Sequence, residues 1–185
     1  MSAEGKLWNE PEQVVLIDPD DRELGHMEKL AAHREGLLHR AFSVFLFNDQ
    51  GELLLQQRAS SKYHSAGLWT NTCCGHPRPG ETIQEAAGRR LFEEMGIKTE
   101  LTPVLHFMYR AELENGLVEN ELDHVLIGRY SNDPDPDPNE ASDWRWVERE
   151  TLAHELTEHP KLFTAWFPVC VWRAWDLLAT ALPEP

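Results

Sequence analysis

The sequence predicts a single α/β (α+β) domain built around a mixed β-sheet. The chain has 185 residues, of which 41% are hydrophobic and 26% are charged, so it can bury one core without disulfides. Stretches with the alternating pattern of strands outnumber helical stretches, and the helices fall between them. This composition and this pattern together exclude a disordered or fibrous protein.

The amino-terminal part of the chain predicts a strand, a short helix and a β-hairpin. The apolar run Gln13–Ile17 reads as a strand, and the turn sequence DPDD follows it. Residues 28–33 (EKLAAH) favour a helix that Gly36 ends. Residues 38–47 and 52–57 have the composition of strands and flank the turn sequence NDQG, which predicts a hairpin.

The middle of the chain predicts a loop followed by a well-capped helix. Residues 63–79 are dense in unusual residues and read as a loop. Thr82 can then cap a helix that runs to about Met95, because Glu85 stands at the third position of a capping box. Gly96 is a natural end for that helix.

The second half of the chain predicts a long hairpin and two further helices. Residues 104–113 and 117–130 alternate as strands do, and the intervening sequence ENG is a strong hairpin turn. Beyond them the pattern predicts, in order, a solvated loop at 132–142, a strand at 144–147, a short helix at 150–156 and a final Trp-rich helix at 164–178.

The charge and the cysteine count restrict the partners and the compartment. A formal net charge of −15 argues against nucleic acid as a partner, and a phosphate-bearing ligand then needs a local basic cluster or metal ions. Three cysteines cannot make a disulfide framework and suit a reducing compartment. With no signal-peptide layout and no apolar run of about 18 residues, a cytoplasmic protein without a membrane partner is expected.

The most informative segment begins at Gly75 and ends at Ile97. Glu81 follows Gly75 by six residues, and the run RRLFEEMGI begins at position 89. This segment resembles the Nudix box, in which carboxylates on one helix face hold Mg²⁺ against a diphosphate. Arg90 departs from the pattern, which has Glu at that position. The helix face therefore loses one metal ligand and gains a guanidinium group, which can donate two hydrogen bonds to a phosphate.

Three further sequence motifs narrow the resemblance to one branch of the Nudix proteins. They are EKLAAH at 28–33, WTNTCCGHP at 69–77 and VENE at 118–121. Together with the box they resemble the type I isopentenyl-diphosphate isomerases, the Nudix branch that moves a double bond instead of cutting a phosphoanhydride. The resemblance extends from about Glu28 to Trp166. It implies a Nudix fold, with the mixed sheet sandwiched between helices, and conversion of isopentenyl diphosphate to dimethylallyl diphosphate for isoprenoid biosynthesis.

Five side chains near these motifs suit a transition-metal site. Glu119 and Glu121 are two residues apart on a strand, so both leave the same face. His33, His39 and His76 would complete a mixed nitrogen and oxygen site, which suits Mn²⁺, Zn²⁺ or Fe²⁺ better than Ca²⁺. The remaining histidines have no such support and are expected to be structural: His26, His64, His106, His124, His154 and His159.

The resemblance also implies the acid–base groups. The reactive thiol of the family stands directly before Gly-His-Pro, which selects Cys74, and a thiol titrates close enough to neutrality to exchange a proton. Glu121 would act on the opposite side of the substrate with help from Tyr109. Trp166 would shield a carbocation with its ring face, although the family has Ser-Pro where this chain has Thr-Ala before that residue.

The substrate's diphosphate would be held by cations and by Mg²⁺. The positions that match the family's phosphate contacts are Lys29, Arg58, Lys62 and Arg90. Glu94 and the backbone carbonyl of Cys74 would hold the Mg²⁺ that accompanies the diphosphate. The basic cluster would supply the local positive field that the acidic chain otherwise lacks.

The expected organisation is one catalytic domain at residues 28–168. It would be preceded by an extension with a short strand at 1–27 and followed by a helix at 169–185 packed on the same domain. A monomer or weak dimer acting on a small molecule is expected. Two alternatives remain at this point: a Nudix hydrolase of a diphosphate, which would need Glu at position 90, and a non-catalytic Nudix-fold binding module.

Overall fold

The computed structural model describes residues 12–181, so residues 1–11 of the expected extension and 182–185 of the expected final helix lie outside the described residues. Within this range one nine-stranded sheet contains β1 (Gln13–Ile17), β2 (Glu23–Glu28), β3 (His39–Phe47), β4 (Leu53–Arg58), β5 (Trp69–Thr70), β6 (Cys73–Gly75), β7 (Thr102–Glu112), β8 (Val118–Arg129) and β9 (Ala141–Val147). The α-helices are α1 (Lys29–Glu35), α2 (Ile83–Met95), α3 (Arg149–Glu158) and α4 (Phe167–Ala181). No helix in the described range is long and apolar enough to cross a membrane.

Strand β3 organises the sheet. It pairs in parallel with β8 from His39↔Glu121 to Phe47↔Arg129, and antiparallel with β6. Strand β8 also pairs antiparallel with β7 along almost its whole length. The sheet is therefore mixed, as predicted, and its central strands bring distant parts of the chain together.

Helices cover both faces of the sheet. Phe45 and Phe47 on β3 point to one face, where they pack in a core with residues of α3 and α4 such as Leu152 and Phe167. The alternate residues Phe42, Val44 and Leu46 pack on the other face with residues of α2, including Leu91 and Met95. This alternation confirms the predicted arrangement of a mixed sheet between helices.

The two capped helices form as the sequence predicts. The side chain of Glu28 caps α1 by accepting hydrogen bonds from Leu30 N and Ala31 N, and Gly36 ends the helix in a left-handed conformation. For α2, Thr82 and Glu85 form the reciprocal capping box. Gly96 ends α2 with φ of 68°, a conformation that costs glycine little.

The predicted hairpin of β3 and β4 forms, with antiparallel pairing of Phe47 with Leu53 at its turn. Two other sequence predictions need correction because strand pairing depends on distant residues. The predicted loop at 63–79 contains β5 and β6, whose partners are β4 and β3. The final helix begins at Phe167 instead of residue 164, because Thr164 N donates to Trp69 O (3.0 Å) and the chain runs beside β5 there.

The acidic loop at 132–142 is docked instead of merely solvated. Asp135 N donates to Met95 O and Asp137 N donates to Glu94 O, both at 3.0 Å. These bonds satisfy carbonyls at the end of α2 that have no partner within the helix. Strand β9 then begins at Ala141, three residues earlier than predicted.

Candidate active site

A cleft of about 620 Å³ opens to solvent where β3, β6, β7 and β8 carry polar side chains. Most of the predicted site residues line it: Lys29, Arg58, Lys62, Cys74, His76, Arg90, Glu94, Tyr109, Glu119, Glu121 and Trp166. The other two, His33 and His39, are fully buried beside Glu119 and Glu121. The fold thus gathers residues that are far apart in sequence around one cavity.

The three histidines and two glutamates form one buried cluster. Each of His33, His39, His76, Glu119 and Glu121 offers a ligand atom, and these atoms lie within 4.8 Å of one another. Strand alternation places Glu119 and Glu121 on one face of β8, and the parallel register sets His39 beside Glu121. Helix α1 supplies His33, and His76 follows directly after β6.

The hydrogen bonds of two histidines aim their free nitrogens into this cluster. His33 Nδ1 donates to Lys29 O at 2.6 Å and His39 Nδ1 donates to Leu37 O at 2.8 Å. Since a carbonyl oxygen only accepts, each Nδ1 carries the proton and each Nε2 presents a lone pair. His33 Nε2 lies 3.3 Å from Glu119 Oε2, and His39 Nε2 lies 3.4 Å from Glu121 Oε1.

This donor set fits a divalent metal ion. His33 Nε2, His39 Nε2 and Glu119 Oε2 are buried and have no hydrogen-bond partner among the described residues. Burying unpaired lone pairs that face one another costs free energy. A metal cation coordinated by all of these atoms removes that cost. The carbonyl bonds to Nδ1 are the outer contacts that usually orient ligating histidines.

The two glutamates differ in their electrostatic environment. Burial, together with the adjacent charge of Glu121, raises the pKa of Glu119. Glu121 is equally buried, but hydrogen bonds involving His39, Glu119 and Tyr109 outweigh burial and lower its pKa to about 2. The Tyr109 hydroxyl, carried by the β7 residue opposite Glu121, donates to Glu121 Oε2 at 2.5 Å. Glu121 is therefore ionised at neutral pH.

The two adjacent cysteines occupy opposite faces of β6. Cys73 is fully buried in the core that includes α2, whereas Cys74 is half-buried and lines the cleft. Burial raises the pKa of the Cys74 thiol to about 12, against the opposing charge of Arg58. Cys74 therefore stays protonated at neutral pH, and it reaches the same cavity as Glu121.

The cationic end of the cleft contains more negative charge than the sequence predicts. Lys29 Nζ lies 3.0 Å from Glu12 Oε2, and Lys62 forms an ion pair with Glu140. Arg90 contacts three carboxylates, those of Glu93 (2.8 Å), Glu94 (2.7 Å) and Glu140 (3.0 Å). The expected cluster of cations exists, but three of its members are already paired with carboxylates.

Trp166 lies in the cleft just before α4. Its side chain is buried, and the Arg58 guanidinium lies 5.5 Å from its ring centroid. Arg58 also donates to His64 O at 3.2 Å. These contacts hold the indole as one wall of the cavity.

Several cleft residues were not predicted from the sequence. His64, expected to be structural, lines the cleft with its Nε2 3.9 Å from Glu119 Oε1. Glu12 and Ser43 also line it, and Ser43 Oγ donates to the buried Asp123 at 2.8 Å. Glu140 reaches the cleft only through its pairs with Lys62 and Arg90. None of these residues belongs to a recognisable sequence motif, so only the fold identifies them as neighbours of the cleft.

The remaining histidines lie elsewhere. His26 on β2 bonds to Glu23 at 2.8 Å and is exposed. His106 and His124 are cross-strand neighbours on β7 and β8, with His124 Nε2 3.2 Å from Asp21. His154 and His159 belong to α3 and its end. None of these five joins the buried cluster, which agrees with leaving them out of the predicted metal site.

Comparisons with known proteins point to one family. A model of the NUDIX domain matches residues 37–167. The chain is 54% identical over 160 residues to isopentenyl-diphosphate Delta-isomerase 1 of Aromatoleum aromaticum, covering 86% of this chain and 90% of that protein. It is 52% identical over 163 residues to isopentenyl-diphosphate Delta-isomerase of Burkholderia multivorans, covering 88% and 93%.

Two solved structures share the fold. DR0079 from Deinococcus radiodurans superposes with a TM-score of 0.75 at 23% identity, over 88% of this chain and 99% of that one. The MutT protein from Methanosarcina mazei Go1 superposes with a TM-score of 0.59 at 23% identity, over 75% and 93%. At this identity the likeness concerns the fold alone.

Proposed function

The chain belongs to the NUDIX-domain isopentenyl-diphosphate Delta-isomerases, and from this premise we propose how its side chains carry out the reaction. The protein converts isopentenyl diphosphate to dimethylallyl diphosphate. The observation that carries the proposed mechanism is that Cys74 and Glu121 reach one cavity from two strands that both pair with β3.

The reaction needs one acid and one base. A proton is added at C4 and another is removed from C2, so the double bond moves from C3–C4 to C2–C3 with no net change in atoms or electrons. Protonating an unactivated alkene creates a tertiary carbocation, so both groups must be in place before the first step. A protonated Cys74 and an ionised Glu121 supply one donor and one acceptor, and each serves in both roles over a reversible cycle.

Tyr109 and Trp166 support this pair. The Tyr109 hydroxyl donates to Glu121 Oε2, which fixes the carboxylate and stabilises its ionised form. The buried indole of Trp166 offers a π face to a cationic intermediate. Such a surface stabilises positive charge without offering a nucleophile that would trap it.

Metal ions complete the proposed site. We propose that His33, His39, His76, Glu119 and Glu121 hold one Mn²⁺ or Zn²⁺, which when bound would orient Glu121 and favour its ionised form. Glu94 and the backbone carbonyl of Cys74 would hold Mg²⁺, which would neutralise the diphosphate. Gln56 donates to Glu94 Oε2 at 2.8 Å and so orients that carboxylate.

The diphosphate would lie at the cationic end of the cleft. Lys29, Arg58, Lys62 and Arg90 all line this end, and their side chains are the groups that recognise phosphate oxygens. Arg90 stands in α2 where a hydrolase of this fold would present a metal-binding carboxylate. This single difference favours binding the diphosphate intact over cleaving it.

We also propose a domain organisation, a cellular compartment and an oligomeric state for the enzyme. Residues 28–168 would form the catalytic domain, with 1–27 as an extension and the residues from 169 onward as part of the same domain. Three free cysteines support a cytoplasmic enzyme in isoprenoid biosynthesis, acting as a monomer or weak dimer on a small molecule and without nucleic acid or membrane partners.

One incubation tests the function. The purified protein is mixed with isopentenyl diphosphate and Mg²⁺, and the products are separated by chromatography. Dimethylallyl diphosphate is expected. Release of free phosphate would identify a hydrolase instead, and the absence of any product would identify a binding module.

A further inference from the structure

The charge of the cationic end of the cleft is largely offset by carboxylates before any substrate binds. Its cations are Lys29, Arg58, Lys62 and Arg90, and three of them are paired with carboxylates: Lys29 with Glu12, Lys62 with Glu140, and Arg90 with Glu93, Glu94 and Glu140. A diphosphate approaching this end therefore meets cations whose charge is largely offset. It must take donors away from carboxylates that already hold them.

Glu140 is the carboxylate best placed to compete. It forms ion pairs with both Lys62 and Arg90 through a single oxygen, Oε2, with the Arg90 contact at 3.0 Å. Its side chain is only 22% exposed, so these contacts are partly shielded from water and salt. One carboxylate oxygen between two cations makes the same contacts that a phosphate oxygen would make there.

The backbone holds Glu140 in this position. Its carbonyl accepts from Ala59 N at 3.0 Å and its own N–H donates to Asp137 O at 2.9 Å. Residues 132–140, the part of the acidic loop that precedes β9, are fixed to the end of α2, which carries Arg90, through Asp135 N and Asp137 N. The loop thus delivers a negative charge to the phosphate-binding end of the cleft, a role that its sequence of prolines and acids does not reveal.

We propose that Glu140 is a specificity-determining residue that competes with the substrate's diphosphate for Lys62 and Arg90. An anion gains these two cations only by displacing the carboxylate, so a weakly charged anion such as inorganic phosphate binds poorly. A diphosphate carries more charge and more oxygens and can displace it. Specificity arises here from an internal competitor as well as from attractive contacts. The inference rests on the proposed placement of the diphosphate at this end of the cleft.

A matched pair of variants tests this role. Glu140→Gln keeps the size of the side chain and removes one negative charge from the cation pair. Asp133→Asn removes one negative charge from an exposed position of the same loop and serves as the control. Calorimetric dissociation constants for inorganic phosphate and pyrophosphate, measured at one Mg²⁺ concentration, report binding without turnover. Steady-state kinetics with isopentenyl diphosphate separate KM from kcat.

If Glu140 competes with the substrate, removing its charge should strengthen the binding of anions. In Glu140→Gln we expect the dissociation constant for phosphate to fall about tenfold, because its fewer oxygens leave it more dependent on these two cations. The dissociation constant for pyrophosphate and KM should fall only about threefold, so that discrimination against phosphate weakens, with kcat within about twofold of the parent. We expect Asp133→Asn to change none of them by more than about twofold. Glu140→Asp keeps the charge but shortens the reach to the two cations, so an intermediate fall is expected, and it serves as the test should Glu140→Gln not fold.

Two failures are distinguishable. A parent enzyme that forms no dimethylallyl diphosphate refutes the proposed function, while the pyrophosphate constants still compare the variants. A parent that isomerises beside a Glu140→Gln variant with unchanged or weaker anion binding refutes the competition alone. A rise in KM would mean that Glu140 positions Lys62 and Arg90 for the substrate instead of opposing it.

Discussion

The environment of a single side chain in this enzyme depends on which face of a strand the residue occupies. Cys73 and Cys74 are neighbours of identical chemistry, yet one fills the core beside α2 and the other meets the cleft. Glu119 and Glu121 share a face because they are two residues apart. On a strand, a shift of one residue therefore changes the surroundings of a side chain from core to cleft.

The two cysteines should respond differently to truncation. We expect Cys74→Ala to lower kcat by about 10²–10⁴-fold, the usual cost of losing an acid–base group. Cys73→Ala should keep most activity and lose about 1 kcal/mol of unfolding free energy, because a small cavity forms in the core. Kinetics and urea denaturation of both variants provide the measurement. An active Cys74→Ala enzyme would show that another group transfers the proton.

Tyr109 should contribute to the rate more than to substrate binding. Tyr109→Phe removes the hydroxyl that donates to Glu121. We expect kcat to fall about 10- to 100-fold, because a hydrogen bond to a charged group is lost, with KM little changed. Tyr130→Phe, whose hydroxyl bonds to Asp133 O away from the cleft, is the matched control. Equal kcat values in the two variants would remove Tyr109 from the mechanism.

Sequence motifs predicted most of the residues that line the cleft, because chemistry constrains their type and spacing. Glu12 and Glu140 escaped notice because any acidic residue at those positions looks like a solvated surface group. They pair with Lys29, Lys62 and Arg90, which the fold brings near from other segments. Charge pairs across distant segments leave no local pattern.

At the level of elements, capping residues predict helix ends well, whereas local patterns predict strand partners poorly. The capping residues Thr82 and Gly96 mark both ends of α2 because capping acts over a few residues. Strand β6 has only three residues, and its existence depends on β3, about 30 residues earlier. A pattern within such a short segment cannot indicate its partner.

One ion pair joins α3 to β9 and should make stability depend on pH. Arg145 forms a two-bond pair with Glu155, one bond being 2.9 Å, and this contact lowers the pKa of Glu155 from 4.5. A lowered pKa stabilises the fold above pH 4.5, and the contribution is lost as the pH falls through the lowered value. The pair therefore contributes at neutral pH and fades in acid.

Glu155→Gln measures this contribution. We expect it to lower the unfolding free energy by about 0.5–1 kcal/mol at pH 7, since the pair is partly exposed, and the difference from the parent to shrink as the pH falls below 4.5 through the lowered pKa. Urea denaturation across this range provides the measurement. Glu158→Gln, on the same helix and exposed, controls for loss of charge. A difference independent of pH would contradict the ion-pair explanation.

For the whole molecule, the buried cluster would couple metal binding to folding. Its candidate ligands come from α1, β3, β8 and the segment after β6, so an ion bound to all five residues would hold four parts of the chain together. A ligand that binds only the folded chain stabilises it by mass action. Elemental analysis of protein purified without added metal should find about one divalent transition ion per chain.

Removing that ion should lower both activity and stability. We expect a chelator to lower the thermal midpoint, with recovery when Mn²⁺ or Zn²⁺ is restored. His33→Ala should lose most of the bound metal, whereas His26→Ala, at an exposed position nearby in sequence, should keep it. Full activity in stripped protein supplied only with Mg²⁺ would contradict an essential role for the cluster.

The parallel pairing of β3 with β8 has a consequence for how the chain matures on the ribosome. His39 and Glu121 are partners in the sheet although about 80 residues separate them, so β3 emerges long before the strand that completes it. At roughly 5–20 residues per second, the nascent chain spends several seconds with an apolar strand whose edge is unpaired. Such an edge is a template for aggregation, and long-range pairing closes slowly. Translation that stalls before β8 should therefore yield insoluble chains.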